Sequence, residues 1–303
     1  MKRGWQKYLL YASIVIVGGV ILFETIRLKN TGFEGKSLWE WMELLIIPAV
    51  LAGGAFYLNR SERSVERQIA EDRAKLEREI ATDRQQEAAL QSYFDRMSEL
   101  LLKEKLRTTK KAEVRDVART RTLSIMRVLD TKRINLIIQF LREAKLITSE
   151  KSILNDANMK GMVLNDLNLS AVYLQGANLE RAKLMYVDMN EANLSDADLT
   201  DADLRKSSLI HADLSGANLQ DTDLERAIFA NANMQDALLG GANLQGADLS
   251  GADLSGTNLS RANLSGVNLS GANLQGAKNL TQEQLKKVKT LQGATMSKGI
   301  KYE

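Results

Sequence analysis

Few residues in this chain could carry chemistry, and their spacing limits what that chemistry is. The 303 residues contain one histidine, His211, and no cysteine. Disulfides, zinc–thiolate sites and thiol nucleophiles are therefore excluded. One imidazole cannot make a multi-histidine metal site, and a histidine-based triad would rest on His211 alone. Carboxylates recur in pairs such as Asp198 with Asp203 and Asp248 with Asp253. Rows of them could gather cations; the plainer reading is a repeated solvated position. There is no P-loop, dinucleotide glycine pattern, nucleophile elbow or HExxH helix. These observations predict a protein that is not an enzyme and that needs no cofactor and no metal.

The second chemical group is cationic. Eleven Lys/Arg and four Asp/Glu lie between Lys103 and Arg133, with no aromatic residue among them. The candidate basic patch is Lys105, Arg107, Lys110, Lys111, Arg115, Arg119 and Arg121. It could be a solvated face, a contact for anionic lipid headgroups, or a nucleic-acid surface, ranked in that order. Nucleic acid comes last because stacking aromatics and a recognition motif are both missing.

The elements that must position these groups differ along the chain. The net charge of +3 is the sum of +8 over residues 1–149, −8 over 150–278 and +3 over the remainder. Residues 1–59 read as a two-span transmembrane hairpin. Tyr8 to Phe23 and Leu44 to Leu58 are uncharged runs flanked by Trp5, Trp39, Trp41 and Tyr57, and aromatics suit the lipid–water interface. A cleaved signal peptide or two buried helices are the alternatives. The cations of both flanks, among them Lys2, Arg3, Arg60 and Arg63, place both termini in the cytoplasm, with the bilayer as one partner. The membrane would be the inner, plasma or thylakoid membrane.

Residues 60–87 read as a charged helical stalk. Val65, Ile69, Leu76 and Ile80 form a narrow apolar stripe through which a homo-oligomer could assemble. Residues 88–149 read as a small helical domain of three amphipathic helices, the last capped by Asp130 or Thr131.

From Leu154 to Leu274 every fifth residue is Leu, Met or Phe, 25 times without a break. The residue two before is mostly Ala, and the residue between is usually Asn or Asp. Five residues rotate an α-helix by about 140°, so these leucines would form no stripe there. On a straight strand they would alternate sides. A five-residue period keeps one face inward only if the chain turns once per repeat, which means a solenoid. The core of the repeats is then Leu179, Leu194, Leu199, Leu204, Leu214, Phe229, Leu244, Leu249, Leu254, Leu264 and Leu274. Met162, Leu167, Val172 and Val187 replace the small residue and predict wider or distorted early turns. Ile228 and Leu238 are apolar at outward positions on different faces. After Ala277 the register slips. Thr281 to Gln284 fits a capping box, so residues 279–303 read as a helical cap and tail that closes the open end.

Ala177-Asn178-Leu179, Ala202-Asp203-Leu204 and Ala272-Asn273-Leu274 carry the A(N/D)LXX signature, and residues 150–278 resemble the pentapeptide-repeat proteins. That resemblance implies an all-β right-handed quadrilateral β-helix with four repeats per coil, here preceded by two transmembrane helices and a helical linker. About six coils then make a rod roughly 30 Å long at the usual strand spacing. Residues 119–147 and 290–296 look like segments of membrane-associated, cyanobacterial-type members. The expected function is a membrane-anchored, non-enzymatic scaffold that presents an acidic rod to a protein partner at the cytoplasmic face. The resemblance also implies an alternative, a DNA-mimicking regulator of a type II topoisomerase. A sensor or channel-like oligomer is a third reading.

Overall fold

The computed structural model describes residues 46–296. The chain divides into two compact units, Met1–Glu79 and Ile80–Glu303, each taken here by itself. In the first unit the described residues belong to the leading part of helix α1 (Ile47–Leu102). Its apolar stretch ends at Leu58, before Asn59, Arg60 and Glu62. Among the described residues no helix is long and apolar enough to cross a membrane. This corrects the expected membrane localisation with two spans and both termini cytoplasmic. The first expected span, Tyr8 to Phe23, lies outside the described residues. The side chains of Val65, Ile69 and Leu76 are exposed.

The second unit opens with the end of α1, followed by α2 (Ala112–Met126) and α3 (Thr131–Glu143). Leu90, Tyr93 and Met97 of α1 are buried. So are Ala118, Thr122 and Met126 of α2 and Ile134, Ile137, Ile138 and Leu141 of α3. The buried stripe of α2 is not the one its branched residues suggest, since Val117 stays exposed. Small Ala118 and Thr122 instead let α2 approach closely enough for the Tyr93 hydroxyl to meet Thr122 Oγ1 at 2.9 Å. Burial pushes the Tyr93 phenol well above its ordinary value. α1 ends with Leu106 N donating to Leu100 O at 3.2 Å and Lys105 at φ +50°. α3 ends alike, with Leu146 N donating to Leu141 O at 2.9 Å and Lys145 at φ +54°. The α3 end is a Schellman motif and the α1 end a wider closure, and in both a lysine takes the positive-φ place usually given to glycine.

The coil follows. Its bridges join residues 20 apart, beginning with Asn158↔Asn178 and Val163↔Lys183, so each turn takes four repeats. We call its sides A to D, centred in the first coil on Leu154, Met159, Leu164 and Leu169. Each side contributes one bridging residue per coil. The central residues and the small residues two before them point inward and are buried. A fully buried Leu contributes about 1.5–3 kcal/mol relative to an exposed one, so the leucine columns supply the bulk of the driving force. Met162, Leu167, Val172 and Val187 are buried without breaking the 20-residue register. The expected distortion of the early turns therefore does not appear in the register.

The C-terminal end also departs from expectation. A short helix α4 (Gln282–Leu285) forms with a full capping box between Thr281 and Gln284. It does not end the coil. Bridging resumes 22 residues on, at Asn268↔Thr290, and strand β1 (Asn273–Leu274) pairs in parallel with β2 (Thr295–Met296). The two extra residues are taken up around α4, and Leu291 and Met296 fall into the leucine columns.

Candidate functional site

Four repeating devices build the surface that this coil offers. The first is the corner. The second residue after each central residue closes a four-residue turn, as in Leu154 to Ala157, where Ala157 N donates to Leu154 O at 3.2 Å. All 25 such corners have positive φ, between 53° at Ala171 and 74° at Gly241. Positive φ at the third turn position is the type II geometry, which favours Gly or Asn there. His211 is one of these corners, at φ 58° and exposed. Among the described residues it belongs to no metal-ligating cluster.

The second device explains the Asn/Asp between each pair of inward residues. Its Oδ1 accepts from the backbone N–H two residues on, as Asp198 does from Thr200 at 3.1 Å and Asn218 from Gln220 at 3.2 Å. This is the Asx-turn, which only these two residue types make well. The third device links coils. Asn233 Nδ2 donates to Asp213 Oδ1 at 2.9 Å, Asn268 Nδ2 to Asp248 Oδ1 at 2.8 Å and Asn273 Nδ2 to Asp253 Oδ1 at 3.0 Å. Carboxylates are thus interleaved with amides that donate to them. Asp198 and Asp203 sit on neighbouring sides, and their stacked neighbours are Asn218 and Asp223. Where Asp203 does stack on Asp223, Arg205 lies between them, 2.7 Å from Asp203 Oδ2 and 3.5 Å from Asp223 Oδ2. Its guanidinium hydrogen bonds hold the Asp203 carboxyl below its usual range. No cluster of metal-ligating side chains occurs among the described residues.

The fourth device seals the first coil. In later coils the carbonyl before each central residue accepts from the N–H 19 residues earlier, as Asn178 O does from Met159. The first coil has no predecessor, and arginines take its place. Arg119 Nε donates to Ile153 O at 2.9 Å and Arg127 Nη2 to Asn158 O at 3.0 Å. Arg142 Nη2 reaches Asn168 O at 3.3 Å and Ser170 O at 3.0 Å. Arg115 donates to Lys151 O. The candidate basic patch is therefore divided. Arg115 and Arg119 serve the coil edge, and Arg107 Nε donates to Ala144 O at 2.9 Å. Lys111 lies 3.6 Å from Glu104. Lys105 belongs to the end of α1, Lys110 is exposed and Arg121 is half-buried. Sequence reasoning missed the edge role. The available signal was that an open ladder requires donors, and guanidinium offers five in a fixed fork.

The predicted core residues all point inward: Leu179, Leu194, Leu199, Leu204, Leu214, Phe229, Leu244, Leu249, Leu254, Leu264 and Leu274 are at most 2% exposed. On the outside, charge is unevenly placed. The repeats of sides A and D contain no Lys or Arg, while Lys183, Arg205, Lys206 and Arg226 all lie in repeats of side C. There Lys206 Nζ sits 5.1 Å over the Tyr186 ring and donates to its hydroxyl at 2.9 Å. This local concentration was not visible at the five-residue period, because it appears only when the chain is folded at 20.

The Pentapeptide repeats family model matches eight times, over residues 150–181, 163–201, 207–246 and 242–278. Among solved structures, HetL from the cyanobacterium Nostoc sp. strain PCC 7120, a pentapeptide repeat protein involved in heterocyst differentiation regulation, is 30% identical. That match covers 49% of this chain and 80% of HetL, with a TM-score of 0.24. Rfr23 from the cyanobacterium Cyanothece 51142 is 20% identical, covering 55% of this chain and 99% of its own, with a TM-score of 0.30. QnrB1, a plasmid-mediated fluoroquinolone resistance protein, is 21% identical, covering 46% and 78%, with a TM-score of 0.26. No curated protein matches the chain.

Proposed function

Because this chain belongs to the pentapeptide-repeat family, we propose that it is a non-enzymatic scaffold whose coil holds protein partners on its outer sides. The observation that supports this reading is where the polar groups are spent. The Asn and Asp side chains close Asx-turns and bridge coils, as Asn233 does to Asp213, so the repeated polarity builds a rigid surface. A regular ladder with inward columns and stiff corners presents side chains at fixed spacing, which lowers the ordering cost of binding. The topoisomerase reading draws less support, since duplex-like rows of carboxylate would need charges that the intervening asparagines replace.

The test is crosslinking of the full chain in the cells that produce it, with the attachment sites mapped by mass spectrometry. The expected result is protein adducts on residues 150–278. Adducts confined to the helical segments, with none on the coil at any crosslinker length, would sink the scaffold reading.

A further inference from the structure

We propose that side C, from Val163 to Lys206, is the docking site for an acidic, partly apolar segment of a partner protein. The proposal rests on the scaffold reading and names the surface and the partner's chemistry. Three observations carry it.

Apolar exposure on the coil concentrates there. Val163 is 54% and Tyr186 49% exposed, whereas Ile228 and Leu238 are 39% and 37% exposed and stand apart on sides D and B. Val163 bridges to Lys183 in the next coil, and Met185 and Tyr186 follow Lys183 along the same side. An exposed Tyr beside a half-buried Met is a pairing enriched in interfaces, in contrast to the Asn, Ser and Gly of the other sides.

The cations around this patch divide into occupied and free. Arg181 is paired with Asp201, Arg205 with Asp203 and Asp223, and Arg226 with Glu225. Lys206 makes no ion pair among the described residues and is held in place by the Tyr186 hydroxyl, whereas Lys183 bridges to Asp203 and, after Arg205, helps to lower that carboxyl. The Lys206 ammonium beside an exposed aromatic ring, with Lys183 one coil away, is a local site for a carboxylate from outside.

The fold does not require these side chains. Tyr186 and Lys206 occupy corners at φ 56° and 58°, where other coils use Gly, as at Gly246 and Gly266 of the same column. Glycine at such a corner relieves the backbone. The same column also carries Asp166 and Arg226, so the turn leaves the choice of side chain open, and at Tyr186 it places an exposed ring beside Lys206.

The experiment uses the purified full chain, immobilised and challenged with a displayed library of random peptides. Retained peptides are expected to be rich in Asp and Glu with at least one large apolar residue. Their binding, measured by fluorescence anisotropy, should fall roughly tenfold or more for Tyr186→Gly and for Lys183→Glu with Lys206→Glu. The melting temperature of Tyr186→Gly should stay level or rise, which a structural role for the tyrosine would not allow. Asn193→Lys on side A should leave binding unchanged. The proposal is overturned if nothing is retained, if basic peptides are retained, or if retained peptides ignore the side C substitutions. Peptides that bind another side would leave the scaffold reading standing while removing this one.

Discussion

At its first coil the ladder ends on guanidinium groups; near its last it is interrupted by a short helix let into the chain. Arg119, Arg127 and Arg142 reach across from α2, α3 and the segment between them to four carbonyls that have no preceding coil. At the other end Gln284 Nε2 donates to Leu259 O at 2.8 Å and Ala262 O at 2.9 Å, and the ladder then resumes at Thr290. One seal is charged and assembled from residues 26 to 34 positions away in sequence. The other is neutral and made by a segment only 22 to 25 positions on. In a solenoid each coil is stabilised by its neighbours, so a terminal coil depends on whatever replaces the missing one. The difference teaches that the same edge problem can be met by charge-assisted donors from a separate subdomain or by a local detour of the chain itself.

The largest expected effect tests the charged seal. Arg119→Ala combined with Arg142→Ala removes donors from Ile153, Asn168 and Ser170 and strips packing from the first coil. Hydrogen bonds to charged groups contribute about 1.5–3 kcal/mol each, and partial exposure reduces that, so the pair should cost about 3 kcal/mol. Denaturant unfolding would show the loss, and amide exchange should rise first at residues 157–174. Equal exchange along all coils would mean that the arginines do not seal this end in particular.

A smaller loss is expected at the other end. Gln284→Ala removes two donors and breaks the capping box, at a cost of about 1–1.5 kcal/mol. Exchange should rise between residues 259 and 269 and stay low in the first coils. If this single change destabilised as much as the arginine pair, the contrast between the seals would collapse.

How much of this was legible in sequence differs by end for a physical reason. The period of five set the inward columns, because Leu249 and Leu254 can both be buried only if the chain turns between them. The cap at Thr281 was legible because a capping box is local, spanning four residues. The return of the coil at Thr290 was not read, although Leu291, Gly293, Ala294 and Met296 repeat the pattern, because two extra residues hide the register. The arginine seal was read as a basic patch, since charge alone does not say whether a guanidinium faces water or a carbonyl. The cluster on side C was missed because its members are 20 apart, a distance at which only the closed coil makes neighbours. The membrane expectation is overturned by the helices themselves: among the described residues none is long and apolar enough to cross a membrane.

The smallest effect separates the two ends by pH. The Asp130 carboxylate caps α3 by accepting from Arg133 N at 2.9 Å, and it also pairs with the Arg133 guanidinium. The backbone hydrogen bond first, and the guanidinium beside it, hold its carboxyl below the usual range. A carboxyl depressed on folding adds stability that is fully present above its unfolded value, near 3.9, and is lost as pH falls through the lower folded value. Asp83 and Glu87 also face Arg133, at 2.6 and 3.2 Å, in one cluster around a single cation. The other seal rests on Thr281 and Gln284, which carry no titrating group. Between pH 5 and pH 2.5, amide protection in α3 and the first coil should therefore fall before protection near residues 259–269. Asp130→Asn keeps a good helix cap and should flatten that part of the pH response. If both ends lost protection in parallel, or the Asn variant titrated like the parent, the charged seal would not owe its acid sensitivity to Asp130.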